Sequence, residues 1–437
     1  MTPEAADIKA HILRLTSEYD KQLNGRTFRP GITPILSSGA VLDADDRTAL
    51  VEAALDMRIA AGASARQFER AFARTLGLRK AHLTNSGSSA NLLALSALCQ
   101  HELDDRRLVP GDEVVTVATS FPTTVNPIVQ HGLKPIFVDI ELGTYNTTAE
   151  RVATAIGPRT RAIMIAHALG NPYEVQEIAE LAAEHELYLV EDNCDGVGST
   201  YRGKLTGGFG DLSTVSFYPA HHITAGEGGC VLTNNLVLAR IVESLRDWGR
   251  DCWCEPGEND TCRKRFAYQI GELPYGYDHK YIFSHVGYNL KATDLQAALA
   301  QSQLTKLVEF GEARRRNWRR LREGLDSLPH LLLPSATPNS DPSWFGFAIT
   351  ILPDAPFDRS ELIRFLEFRN IGTRLLFAGN LTRHPAYLGQ DYRVVGTLTN
   401  SDVVTERTFW VGVYPGITVE MVDYMVASIR DFVGGLR

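Results

Sequence analysis

Between about residues 45 and 300 short apolar runs of strand length alternate with helical stretches. A chain with that rhythm folds into a mostly parallel sheet covered by helices on both faces. The strand candidates are Lys80 to Thr84, Glu113 to Val117, Pro135 to Asp139, Ala162 to Ala166, Leu187 to Glu191, Ser213 to Phe217 and Gly229 to Thr233. One helix carries Phe68, Phe72 and Leu76 on a single stripe and stops at Gly77, a usual C-terminal glycine. A long helical pattern from about Thr293 to Leu325 leads to a smaller unit in which strand and helix alternate again. The expected organisation is an N-terminal arm over 1–44, a large α/β domain over 45–300, and a linking helix with a smaller α+β domain over 301–437. Within the large domain, 249–285 is a polar insertion containing Gly, Pro and Cys, with little periodicity. Such a stretch is either a functional loop or disordered.

The 44 Lys and Arg are scattered and the net charge is −8, so neither nucleic acid nor an anionic membrane is expected as a partner. Met1 to Leu15 carries Glu4, Asp7 and Lys9 and lacks the apolar centre of a secretory signal. No uncharged apolar run approaches bilayer length. The expectation is a cytoplasmic protein, in which thiols stay reduced and clustered cysteines more often bind metal or do chemistry than form disulfides.

Three segments carry chemistry. Ser86-Gly87-Ser88-Ser89-Ala90, between a strand and a helix, offers backbone N–H groups and a helix dipole to a phosphate. Alone it reads as an ordinary small-residue turn. Asp192 follows the strand Leu187 to Val190, at the edge where open α/β sheets bind ligands; the plain alternative is a helix cap. Ser216-Phe217-Tyr218-Pro219-Ala220-His221-His222, followed by Thr224-Ala225-Gly226-Glu227-Gly228-Gly229, is the third, and by itself could be a hairpin.

Taken in order, and with Pro135 to Asp139, His167-Ala168-Leu169-Gly170 and Gly287-Tyr288-Asn289-Leu290-Lys291, these segments resemble the DegT/DnrJ/EryC1/StrS sugar aminotransferase family. Its members have the fold type I, aspartate aminotransferase-like, pyridoxal-phosphate architecture and act on nucleotide-linked keto sugars. The resemblance implies that Gly87, Ser88 and Ser216 contact the cofactor phosphate, that Phe121 stacks on the pyridine ring and that Asp192 pairs with its nitrogen. It also implies a homodimer, in which Asn289 reaches the phosphate of the neighbouring subunit.

One position departs from the family. Its cofactor-binding lysine falls where this chain has His221, with the flanking Pro219, Thr224 and glycine run retained. His222 next door leaves the register open by one residue. A histidine forms no imine with an aldehyde, but near neutral pH its imidazole accepts a proton. The chain thereby resembles a subgroup, the keto-deoxysugar 3-dehydratases. That resemblance implies pyridoxamine 5′-phosphate (PMP/PLP) held non-covalently, a Schiff base to the C4 ketone of the sugar, loss of the C3 hydroxyl, and His221 as the catalytic base.

Cys194, Cys252, Cys254 and Cys262 are spaced Cys-x57-Cys-x-Cys-x7-Cys. Four thiolates suit zinc or an iron–sulfur cluster, and spacing alone does not choose between them. The series resembles the [2Fe–2S] motif of those 3-dehydratases that act on CDP-4-keto-6-deoxyglucose in 3,6-dideoxysugar (O-antigen, ascarylose-type) biosynthesis. It implies a CDP-sugar substrate and electrons from a separate NAD(P)H-dependent iron–sulfur flavin reductase. Cys99 and Cys230 read as small buried hydrophobes. Two other readings stay open: a cluster-free 3-dehydratase of the GDP-4-keto-6-deoxymannose type, and a catalytically silent sugar-nucleotide-binding protein with structural zinc.

Overall fold

A computed structural model describes residues 2–23, 27–254 and 258–435. Its first strands are β1 (Lys80–Thr84), β2 (Glu113–Val117), β3 (Lys134–Val138), β4 (Thr160–Ala166), β5 (Tyr188–Asp192), the short pair β6 (Thr200–Tyr201) and β7 (Lys204–Leu205), β8 (Leu212–Ser216) and β9 (Gly229–Thr233). The C-terminal part adds β10 (Leu331–Leu332), β11 (Ser340–Asp341), β12 (Gly346–Ile351), β13 (Thr373–Arg374), β14 (Arg393–Val394) and β15 (Thr408–Gly412).

The main sheet has the order β1-β9-β8-β5-β4-β2-β3-β14. Only β9 runs against its neighbours, pairing antiparallel with both β1 and β8. Every residue of β2, β5, β8 and β9 is buried, as expected of a sheet covered on both faces. Val114, Ala162, Tyr188 and Val231 face helix Gly87–Leu98 and its neighbours on one side. Val115, Ile136, Ile163 and Leu189 face helices Ala149–Ala155 and Val175–Glu184 on the other. The expected strands are all present, with ends displaced by a residue or two.

Two features differ from the sequence pattern. The helical run from 293 is two helices, Asp294–Leu304 and Leu307–Leu325. The amides of Thr305 and Lys306 turn back to the carbonyls of Ser302 and Gln303, and the Lys306 ammonium reaches Asp43 and Asp46 at 2.5 and 2.7 Å. That anchoring fixes the break. In addition, the two-residue β14 leaves the C-terminal part and extends the main sheet, pairing parallel with β3.

The C-terminal part has its own four-stranded antiparallel sheet, β10-β12-β15-β13, packed on helices Leu307–Leu325, Arg359–Phe368 and Val419–Gly434. The insertion is closed at its base by the bridges Asp247↔Asn289 and Arg250↔Phe283. Above the base its described residues hold one short helical turn, His279–Tyr281, and are braced by a bidentate pair of Arg265 with Asp278 at 2.9 and 2.5 Å. Among the described residues no helix is long and apolar enough to cross a membrane.

Candidate active site

A cavity of about 460 Å³ opens at the carboxyl ends of β4, β5 and β8, lined from widely separated stretches of sequence that include Ser38, Gly87, Asp192 and Trp410. At its floor Asp192 ends β5, 3% exposed. Its Oδ2 accepts from Asn91 Nδ2 at 2.9 Å and Thr124 Oγ1 at 2.6 Å, while Oδ1 accepts from the amide of Cys194 at a longer 3.2 Å. One oxygen is therefore saturated and the other keeps acceptor capacity towards the cavity. The adjacent Glu191 has a different task, accepting the amides of Gly207, Phe209 and Gly210 at 2.6 to 2.8 Å to hold the turn before β8.

Helix Gly87–Leu98 starts beside this floor, with Ser86 as its cap accepting from the Ser89 amide at 3.0 Å. The remaining first-turn amides have no intrahelical partner and point outward, an anion-binding arrangement. The approach is tight. A Cβ on Gly87 would collide with Ser216, and one on Gly229 would collide with the Ser86 carbonyl, so helix start, β8 end and β9 converge only because both positions are glycine.

His221 lines the cavity, while His222 is 2% exposed and turned to the Ser343 carbonyl at 2.6 Å. His221 Nδ1 lies 2.8 Å from the carbonyl oxygen of Cys194. A carbonyl only accepts, so Nδ1 carries the proton and Nε2 holds the free lone pair. The ring stacks on Phe345 at 5.2 Å, and its backbone carbonyl accepts from the buried Arg314 guanidinium at 3.1 Å. Burial lowers the His221 pKa to about 4, opposed by its bond to Cys194, so the imidazole is neutral at neutral pH. Beside it, burial and the neighbouring Asp192 raise Asp195 to about 8.

Gly87, Ser88, Phe121, Asp192, Ser216, His221 and Cys194 thus all border one cavity. Asn289 does not: it is exposed and lies at the base of the insertion. Cys252 and Cys254 line a different cavity, of about 700 Å³, which shares no residue with the first. Among the described residues no three of the four cysteine sulfurs lie within 4.8 Å of one another. The four-thiol ligand set is therefore not assembled within one chain. All six cysteines are unpaired.

The sequence pattern did not single out Asn91 and Thr124, which hold Asp192, nor Asp195, Phe345, Arg374 and Trp410, which complete the walls. Asn91 could have been found, since it sits one turn beyond Gly87 on the same helix. The C-terminal residues carry no local signal.

Residues 41–430 match the model of the DegT/DnrJ/EryC1/StrS aminotransferase family. The chain belongs to that family. Within it, the chain is 70% identical over 433 residues to dTDP-4-dehydro-2,6-dideoxy-D-glucose 3-dehydratase of Saccharopolyspora spinosa, covering 99% of this chain and 93% of that protein. It is 49% identical to lipopolysaccharide biosynthesis protein RfbH of Salmonella typhimurium, covering 98% and 99%. In three dimensions it is similar to Escherichia coli GDP-4-keto-6-deoxy-D-mannose-3-dehydratase with bound hydrated PLP, at a TM-score of 0.81 and 28% identity, over 90% of this chain and all but 1% of the other.

The cavity fits the cofactor of this family. Asp192 offers a free carboxylate oxygen for a protonated ring nitrogen, and the helix start at Gly87 offers amides for a phosphate. No lysine lines the cavity among the described residues, so nothing there can form an imine with an aldehyde.

Proposed function

We propose that this protein is a pyridoxamine-phosphate-dependent 3-dehydratase of a nucleotide-linked 4-keto deoxysugar, acting in dideoxysugar biosynthesis as a cytoplasmic homodimer. The observation that carries the reading is His221, standing in the cavity beside Asp192 with a neutral imidazole and a free Nε2.

When bound, the cofactor supplies an amine for the C4 carbonyl of the sugar and a ring that accepts electrons. The residues do the rest. Gly87, Ser88 and Ser216 hold its phosphate, Phe121 covers the ring, and Asp192 keeps the ring nitrogen protonated, which deepens the electron sink. Asn91 and Thr124 hold the Asp192 carboxylate in place. His221 Nε2 would be the group that accepts a proton from the bound cofactor and returns it to the C3 hydroxyl, which would leave as water. Because Nδ1 stays fixed to the Cys194 carbonyl, the ring performs both transfers without turning. A lysine at this place would instead capture the cofactor and return the chain to aminotransfer.

The sugar nucleotide is read from similarity. The 70% identical relative is named for a dTDP-linked 2,6-dideoxy sugar, and this supports dTDP over the CDP-linked substrate expected from the cysteine series. Turnover of the two 4-keto sugar nucleotides, compared at equal concentration, separates them. The expected [2Fe–2S] cluster on Cys194, Cys252, Cys254 and Cys262, fed by an NAD(P)H-dependent reductase, belongs to the same proposal. Iron and acid-labile sulfide analysis tests it, and stoichiometric zinc without iron would reject it. Dehydration itself is assigned to His221 and the cofactor alone.

The decisive experiment is His221→Lys. It should gain a covalently held cofactor, seen after borohydride reduction as a permanent increase in chain mass, together with some aminotransferase behaviour. A variant whose mass stays unchanged after reduction would show that residue 221 does not face the cofactor carbonyl, and the reading would fall.

A further inference from the structure

The separation of the cysteines has a geometric cause. Cys194 follows β5, and β8, β9 and β1 lie between it and the edge of the sheet. Those three strand spacings amount to about 14 Å. The insertion lies farther out still: Lys291 bridges to Thr84 on the free edge of β1, Asn289 in turn bridges to Asp247, and Arg250 to Phe283. Cys252 and Cys254 line a cavity that shares no residue with the one Cys194 lines, and among the described residues no three of the four sulfurs meet. The three loop thiols nevertheless keep close company, the Cys254 amide donating to Cys252 Sγ at 3.3 Å and Cys262 following one residue after Thr261, whose hydroxyl meets Cys254 Sγ at 2.9 Å.

The insertion also looks like an arm. It leaves and rejoins the body at one bridged base, and it exposes Phe266, Tyr275, Tyr281, Phe283 and Val286, the last 97% exposed. Apolar side chains this open, concentrated on one projecting segment, mark an interaction surface. Cys194 meanwhile lines an open cavity to which no described residue of its own arm contributes.

We propose that the metal centre is built across the subunit interface of a homodimer: Cys252, Cys254 and Cys262 on the arm of one protomer join the Cys194 at the cavity of a second copy. This rests on the cluster-bearing reading proposed above and deepens it by naming where each ligand comes from. In a two-fold dimer the contact is reciprocal, so two arms complete two centres and each cavity is closed by the other chain. Asn289, exposed at the base of the same arm, is carried to the same neighbour.

Mixed dimers test it. Cys194→Ser and Cys252→Ser homodimers, each lacking a ligand in every centre, should both lose iron and the visible cluster absorption. A dimer with one chain of each kind, isolated with two affinity tags, contains one intact set of four thiols only if ligation is between chains. It should regain half the iron and half the visible absorption of the unsubstituted dimer. A mixed dimer with no iron would overturn the interchain arrangement while leaving the four-thiol cluster standing. If Cys194→Ser alone keeps full iron, the four-thiol ligand set fails as well. A second measurement starts from the unsubstituted protein. A short thiol-to-thiol cross-linker added to cluster-free unsubstituted protein should give a covalent dimer on a denaturing gel, lost in Cys194→Ser. Persistence of that band, or a monomeric protein in solution, would overturn the proposal.

Discussion

Asp192 and His221 border the same cavity yet are prepared in opposite ways. Asp192 receives donors that aim its carboxylate; His221 is stripped of water, which suppresses its charge, while its bond to the Cys194 carbonyl fixes the tautomer. Removing a hydrogen bond to a buried carboxylate costs about 1.5–3 kcal/mol. Thr124→Val should therefore lower the unfolding free energy by about that amount in urea titration and weaken retention of pyridoxamine phosphate. Unchanged stability would mean the 2.6 Å contact contributes nothing. The two histidines should separate cleanly. His221→Asn is expected to cut dehydration by about 10²- to 10⁴-fold, the usual contribution of a positioned proton-transfer group, while still binding cofactor. His222→Asn should instead act through stability, because its ring is locked to Ser343 in the interior. Equal losses of turnover in both would refute the assignment of roles. The histidine was legible in the sequence because an imidazole interrupts an otherwise retained run. The partners of Asp192 were less so: Asn91 sits one turn beyond Gly87, but Thr124 comes from another helix and looks like an ordinary helical polar residue.

At the scale of elements, the site depends on backbones that meet without side chains between them. Gly229 opens β9, paired with Thr84 on one side and Ser216 on the other, and the Ser86 carbonyl fills the space its Cβ would need. Forcing a methyl into a packed junction costs about 1–3 kcal/mol. Gly229→Ala should lower stability by that order in urea titration and push the start of helix Gly87–Leu98 away from Ser216. Its cofactor affinity should fall with it, measured by absorbance titration with pyridoxamine phosphate. A variant that is less stable but binds cofactor unchanged would show that the junction does not position the phosphate site. Continuous apolar runs made the central strands readable, because a strand buried on both faces has no polar side to show. The break at Thr305–Lys306 was not readable, since it is set by two aspartates some 260 positions away, Lys306 to Asp46 among them. Nor was β14, whose two residues form a strand only because Ile136 and Phe137 offer an edge.

Across the whole molecule, the cavity wall is shared between parts of the chain that have no reason to stay together except through what they enclose. Ser38 comes from before the large sheet, Gly87 to Glu227 from the sheet itself, and Phe345, Arg374, Phe377 and Trp410 from the C-terminal part. Some ties exist without ligand: Arg314 donates to both Trp344 and His221, and Ser343 accepts from His222. A ligand that bridges the same walls adds to them and binds only the folded state. At a hundredfold excess over its dissociation constant it should raise stability by about 2.7 kcal/mol. Cofactor depletion should therefore lower the melting temperature, and restoring pyridoxamine phosphate should reverse the change in a concentration-dependent way. The structural reading makes a finer demand. Amide exchange should slow on cofactor addition at Gly87–Ser89 and, although they are nearly 290 residues away, at Leu375–Phe377 as well. If protection rises only at the helix start, the C-terminal wall does not close on the cofactor, and Arg374 and Trp410 must instead await the sugar nucleotide.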